Sequence, residues 1–186
     1  MTNEQKHISK FISLILRHNP KKFNFSIEYE GAWANTKDLI KLLQTHNKRV
    51  SLEDLDKVVE EDSKGRYSYN EDKTKIRANQ GHSIQVDLGL VVLELQEIPK
   101  WLYHGTNSNF LKSIEELGLK KMDRHQVHLS DNIETAESVG NRRLKKGTYT
   151  KIFKIPATEM FQAGYDFYKS KNGVYLVDYV PSKYLK

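Results

Sequence analysis

Apolar residues recur at helical spacing from the start of the chain, where Ile8, Phe11, Ile12, Ile15 and Leu16 fall on one face. Asn19-Pro20 stops that helix, because proline lacks an amide donor and restrains the residue before it. A second short helix is predicted after Thr36, with Leu39, Ile40, Leu42 and Leu43 on its buried side. Ser51-Leu52-Glu53-Asp54 has the form of a capping box and opens a third helix, striped by Leu52, Leu55, Val58 and Val59. The period then changes. Arg66–Tyr69 and Lys75–Ala78 flank the polar Asn70–Thr74, which predicts a β-hairpin. Three helices and a hairpin predict a winged helix.

From Gly81 to Pro99 the pattern loses its period, and an ordered connector is expected there. The second lobe begins with a strand ending at Tyr103, followed by a helix from Asn109 to Leu117 with Gly118 as its cap. A short strand at Val127–Leu129, a helix beginning near Asp131 and a strand at Tyr149–Ile155 come next. A hairpin of Tyr168–Ser170 and Val174–Val180 is expected around Asn172-Gly173. Short strands mixed with short helices make an α+β fold. The expected division is 1–98 for the first lobe with its connector and 99–186 for the second.

Composition narrows the chemistry. Thirty Lys and Arg against 24 Asp and Glu give a net charge of +6, which suits a polyanionic partner without identifying one. The absence of cysteine removes disulfides, thiolate nucleophiles and Cys-type metal sites, and fits a reducing compartment. The longest apolar run, Leu88 to Leu95, is interrupted by Gly89 and Glu94 and is far short of the roughly 20 residues that span a bilayer. A cytoplasmic protein without membrane association is expected, working as a monomer.

Five segments concentrate polar chemistry. Leu16-Arg17-His18-Asn19-Pro20 puts two cationic side chains at a helix end, which serves equally as a dipole-favoured terminus or as a phosphate clamp. Arg66 opens the first hairpin strand, and Ile76-Arg77-Ala78-Asn79-Gln80-Gly81-His82-Ser83 follows from the second. These suggest an anion site shared by two hairpin ends, or a wing that grips a duplex backbone. Tyr103-His104-Gly105-Thr106 joins a strand to a helix, so the Gly105 main chain is a candidate partner for a carboxamide and His104 for a ribose hydroxyl. Met122 to Ser130 supplies Arg124 as a phosphate or pyrophosphate ligand and ends in the hydroxyl of Ser130. His125, His128 and Asp131 are ordinary zinc-ligand types, but odd spacing on a strand sends the two imidazoles to opposite faces, so no metal site is expected. Neither a GxxxxGK[ST] loop nor a GxGxxG fingerprint is present.

In order, LRHNP, DSKGRYSY, IRANQGHS, YHGT and RHQVHLS resemble the tRNA 2′-phosphotransferase family of the KptA type, over nearly the whole chain. The resemblance implies an N-terminal winged-helix lobe and a C-terminal ADP-ribosyltransferase-like lobe. It implies a catalytic Arg-His-Arg-Arg set on Arg17, His18, Arg66 and Arg124. It also implies an NAD+ site at His104, Gly105, Thr106 and Ser130, and an RNA-phosphate site at Arg17, His18, Arg66 and Arg77. Toxin-like transferases carry a glutamate near the last strand, where this chain has Val174. That departure argues against protein modification, and a phosphate needs no carboxylate base.

The implied reaction uses NAD+ as co-substrate and no metal. The RNA 2′-phosphate displaces nicotinamide from its ribose, and the ribose 2″-hydroxyl then attacks the phosphodiester. The products are 2′-OH RNA and ADP-ribose 1″,2″-cyclic phosphate. The family's role is the final step of tRNA splicing, with a tRNA-like 2′-phosphorylated splice junction as partner. Two other readings stay open: an ADP-ribosyltransferase that caps nucleic-acid phosphates, and a non-catalytic winged-helix regulator.

Overall fold

The protein is described here by a computed structural model covering every residue except Asn47 and Lys48, with the Arg143 side chain also left aside. It divides into two compact units, Met1–Gly89 and Leu90–Lys186.

In the first unit, α1 (Asn3–Arg17) starts at a reciprocal cap, with the Thr2 hydroxyl accepting from the Gln5 amide and the Gln5 side chain accepting from Thr2 N–H. Its buried stripe is Ile8, Ile12, Ile15 and Leu16. A 3₁₀ turn at Pro20–Phe23 follows the helix end. The strand β1 (Ala34–Asn35) leads into α2 (Thr36–His46), and α3 (Leu52–Glu60) opens on the expected Ser51–Asp54 capping box. The hairpin strands β2 (Tyr67–Tyr69) and β3 (Lys75–Ala78) pair in the register Tyr67↔Ala78 and Tyr69↔Ile76. The sequence pattern does not reveal β1, a two-residue strand on the other edge of β3, because so short a stretch has no readable alternation. Ile12, Leu16, Leu39, Leu55, Tyr67 and Ile76 lie in one core.

The unit boundary falls before the expected 98/99 division, for reasons visible in the hydrogen bonding. Asp87 pairs with Tyr29 and Gly31, which ties the segment before Gly89 to the first unit. Leu93 N–H donates to Phe167 O at 2.8 Å and Ile98 is buried in the second core, so these residues fold with the second unit.

The second unit begins with β4 (Leu102–Asn107), a 3₁₀ turn, α4 (Leu111–Leu117), β5 (Leu119–Lys120) and β6 (Val127–Leu129). It continues with α5 (Ile133–Gly140), capped by Asn132, then β7 (Thr150–Ile155), α6 (Ala157–Gln162), β8 (Phe167–Lys169), β9 (Tyr175–Val177) and β10 (Tyr179–Val180). The expected strand Val174–Val180 is in fact two strands. After β9 pairs with β8, the chain breaks at exposed Asp178 and β10 pairs with β5 instead. Helix α6 was not expected; its short apolar run carries no full period.

All pairings within these strands are antiparallel, in the groups β4-β7, β6-β9-β8 and β5-β10. One isolated bridge, Tyr103 to Ser130, joins β4 to β6. The architecture is a mixed α+β fold of small sheets.

Candidate functional site

In the first unit, Arg17, His18, Arg66 and Ser83 are assembled by contacts between the end of α1, the start of β2 and the segment after β3. The Arg17 carbonyl, left without an intrahelical partner at the helix terminus, accepts from Ser83 N–H at 2.9 Å and from the Ser83 hydroxyl at 3.4 Å. The Ser83 hydroxyl and His18 Nδ1 are hydrogen-bonded to each other at 2.9 Å. The Arg17 guanidinium donates to Arg66 O at 3.4 Å and lies over the Tyr67 ring, 5.9 Å from its centre. Gly81, at φ +85°, runs beside it, so that a β-carbon there would stand 3.6 Å from Nη1.

Arg66 is held by Asp62, whose side chain is 1% exposed and pairs with Arg66 Nη1. The same carboxylate accepts Arg66 N–H at 2.7 Å and Lys64 N–H at 3.2 Å, fixing the turn that enters β2. A guanidinium has five N–H donors, and Asp62 occupies one. Asp62 is thus a positioning residue, and its signal in the sequence was a carboxylate four residues before an arginine in a turn. Asn79 completes the arrangement by donating to Gly65 O at 2.6 Å and, through its main chain, to Arg66 O at 2.8 Å. His82 is buried.

Arg77 is not brought into this cluster. It stacks on Trp33, 4.6 Å from the ring centre, and donates to Gly31 O at 3.2 Å.

The second unit places its candidates where two strands part. Tyr103 exchanges both main-chain bonds with Ser130, at 2.8 and 2.9 Å. The next opposed positions, Gly105 and His128, form no such bridge, so the ladder stops. The His128 carbonyl accepts instead from His104 Nδ1 at 3.0 Å. A carbonyl only accepts, so Nδ1 carries the proton and Nε2 of the neutral ring is an acceptor. Burial, helped by the Arg124 charge and opposed by the His128 hydrogen bond, holds the His104 pKa below its ordinary value.

Main-chain groups alternate sides along a strand, so the Gly105 N–H and C=O point the same way as those of Tyr103, away from β7 and toward the opening. Gly105 also meets a steric demand that the sequence did not show. A β-carbon there would lie 1.7 Å from Ala136 O, because α5 packs directly on β4. Thr106 is buried one pleat beyond His104, on the same strand face. Ser130 is half-buried at the bridge. Arg124 Nη1 lies 3.3 Å from His128 Nδ1, which brings the arginine to the same opening. Among the described residues no cluster of three or more His, Asp and Glu is placed to hold a metal ion.

Comparison with known proteins covers both units. A family model described as RNA 2′-phosphotransferase, Tpt1 / KptA family, matches residues 3–179. The chain is 48% identical to a probable RNA 2′-phosphotransferase of Fusobacterium nucleatum over 188 residues, covering 100% of this chain and 99% of that protein. It is 47% identical over 184 residues to one of Flavobacterium johnsoniae, covering 99% and 97% of the two chains. A third, of Trichormus variabilis, is 46% identical over 181 residues, covering 97% and 95%. Similarity of this extent, end to end and centred on a transferase acting on RNA, establishes that the chain belongs to the RNA 2′-phosphotransferase, Tpt1 / KptA family.

Proposed function

We propose that this enzyme transfers an internal RNA 2′-phosphate to NAD+, releasing 2′-OH RNA, nicotinamide and ADP-ribose 1″,2″-cyclic phosphate. The observation that carries the reading is the parted ladder at Gly105 and His128. A carboxamide needs one acceptor and one donor side by side, which the Gly105 carbonyl and amide offer. A ribose hydroxyl needs an acceptor, which neutral His104 offers at Nε2. The donor set therefore fits NAD+, a substrate consumed in the reaction, with Thr106 and Ser130 flanking it.

Arg17, His18 and Arg66 hold the RNA phosphate. In the first step the phosphate is the nucleophile and nicotinamide leaves as a neutral base, so these groups position and need not protonate anything. In the second step the phosphorus is attacked, and charge gathers on its oxygens. Arg17, Arg66 and Arg124 stabilise that charge. Three helices with a β1-β3-β2 sheet support a winged-helix reading of the first unit. The split antiparallel sheets with α5 against β4 support an ADP-ribosyltransferase-like reading of the second. We further place the protein in the cytoplasm as a monomer acting on tRNA-like splice junctions; among the described residues no helix is long and apolar enough to cross a membrane.

The test is a product analysis with a 2′-phosphorylated oligonucleotide, with and without NAD+. Equal amounts of dephosphorylated RNA, nicotinamide and cyclic phosphate are expected, only when NAD+ is present. Release of inorganic phosphate without NAD+ would overturn the proposal. A lasting ADP-ribosylated RNA would indicate the capping enzyme, and RNA binding without NAD+ consumption the regulator.

A further inference from the structure

The first unit contains a groove of about 390 Å³ that the proposed chemistry does not use, lined by Phe23, Phe25, Trp33, Asn24, Asn35 and Asp38 among others. This volume is within the range of small-molecule sites, roughly 300–1,000 Å³. Phe23 and Phe25 pack on the core beneath, whereas Trp33 is outside it. The indole lies across Gly31, where a β-carbon would stand 2.6 Å from the ring, and against the Arg77 guanidinium. Arg77 has no carboxylate partner among the described residues, and its Nε is buried without a hydrogen bond.

The Trp33 wall of the groove belongs to the same sheet as Arg66 of the phosphate cluster. Ala34 pairs with Ile76, so Trp33 comes opposite Arg77 when the β1–β3 register is extended one step. Arg77 is opposite Ser68, and Asn79 N–H bonds to Arg66 O. Since Tyr67, Ile76 and Ala78 face the core, alternation puts Trp33, Arg77, Ser68, Asn79 and Arg66 on the other face of one sheet. Strands lie about 4.8 Å apart, so two strand spacings, about 10 Å, separate the Trp33 strand from that of Arg66.

We propose that the groove, walled by Trp33 stacked on Arg77, is a subsite for a nucleobase of the RNA strand that flanks the 2′-phosphate. The proposal rests on the assignment of Arg17, His18 and Arg66 to that phosphate. Single-stranded RNA is bound by stacking bases on aromatic or guanidinium planes and by hydrogen bonds to base edges. Asn24 and Asn35 carry amide groups suited to such edges. A cationic ligand is disfavoured because both lining carboxylates are already paired, Glu28 with Lys75 at 2.7 Å and Asp38 with Lys41 at 3.4 Å. Exposed Lys21, Lys22 and Lys37 lie near lining residues in the chain and add the positive charge that an RNA backbone requires.

The experiment uses the full chain and 2′-phosphorylated oligonucleotides that are intact or abasic at the nucleotide on either side of the phosphate. One abasic substitution should raise KM by about 5- to 100-fold with kcat little changed. Trp33→Ala should raise KM for intact RNA similarly and abolish the distinction between intact and abasic substrates. Trp33→Phe should restore most of it. In a Trp101→Phe background, where Trp33 is the sole indole, intact RNA should quench the emission more than abasic RNA. This titration needs no turnover, so it separates failure of the subsite from failure of the NAD+ reaction. Equal KM for all three oligonucleotides, a Trp33→Ala enzyme that still discriminates, or equal quenching would each overturn the proposal.

Discussion

The two units build their candidate sites by opposite means. In the first, side chains from α1, β2 and the segment after β3 are fixed by one buried carboxylate and by carbonyls at element ends. In the second, the opening is made by the main chain, where β4 and β6 part after a single bridge and α5 lies flat on Gly105. The first arrangement concentrates charge and loses it one side chain at a time. The second supplies uncharged donors and acceptors, and its weak point is steric. A site for an anion and a site for a neutral carboxamide and ribose have these different requirements.

The largest effect should come from removing charge in the first unit. Arg66→Ala should slow the second step more than the first, because a strong clamp also withdraws density from the phosphate while it acts as nucleophile. A loss of about 3–4 kcal/mol, a factor of 10² to 10³, is expected for one well-placed donor. A time course resolving substrate, ADP-ribosylated RNA and product should show the adduct building up. Equal slowing of both steps with no adduct at any time would remove this role from Arg66.

Gly105→Ala breaks the comparison from the other side. The added carbon meets a main-chain oxygen of α5, which can move only with its helix. Overpacking of this kind costs about 1–3 kcal/mol, and a domain of this size loses roughly 4–8 °C of Tm per kcal/mol. Calorimetry should show the loss in the second unit's transition, with RNA affinity retained. A variant as stable as the parent would mean that α5 does not pack on β4 as described.

A smaller effect concerns pH. Folding lowers the His104 pKa from its ordinary 6.5, chiefly through burial. The unfolded chain therefore binds more protons below that value, so this group's contribution is complete above about pH 6.5 and falls away with acidification through the folded pKa. Denaturant midpoints measured across this range should fall more steeply for the parent than for His104→Gln. Parallel curves would contradict a half-buried, neutral His104.

Much of this was legible in the sequence, for identifiable reasons. The α1 stripe, the Ser51–Asp54 cap and the hairpin register each rest on local spacing, and local spacing survives folding. Arg17, His18, Arg66 and Arg124 were marked by motif. What escaped depends on tertiary pairing. The β1 edge strand, the exchange of β10 onto β5 and the Asp62 hold on Arg66 join segments whose relation is set by packing. Arg77 looked like a phosphate ligand because its neighbours do, but pairing across the sheet sets it against Trp33 and the Gly31 carbonyl. Gly105 was singled out for ligand approach, while its nearest demand is a helix.

The central claim is the division of labour, and a crossed pair of titrations tests it most directly. NAD+ and a 2′-phosphorylated oligonucleotide are each titrated, separately, into Arg66→Ala and His104→Ala. Losing a buried hydrogen bond costs about 1–3 kcal/mol, so His104→Ala should weaken NAD+ binding by roughly 5- to 100-fold and leave RNA affinity near that of the parent. Arg66→Ala should do the reverse. If His104→Ala weakened only RNA binding, or Arg66→Ala only NAD+ binding, the assignment of phosphate to the first unit and NAD+ to the second would be contradicted.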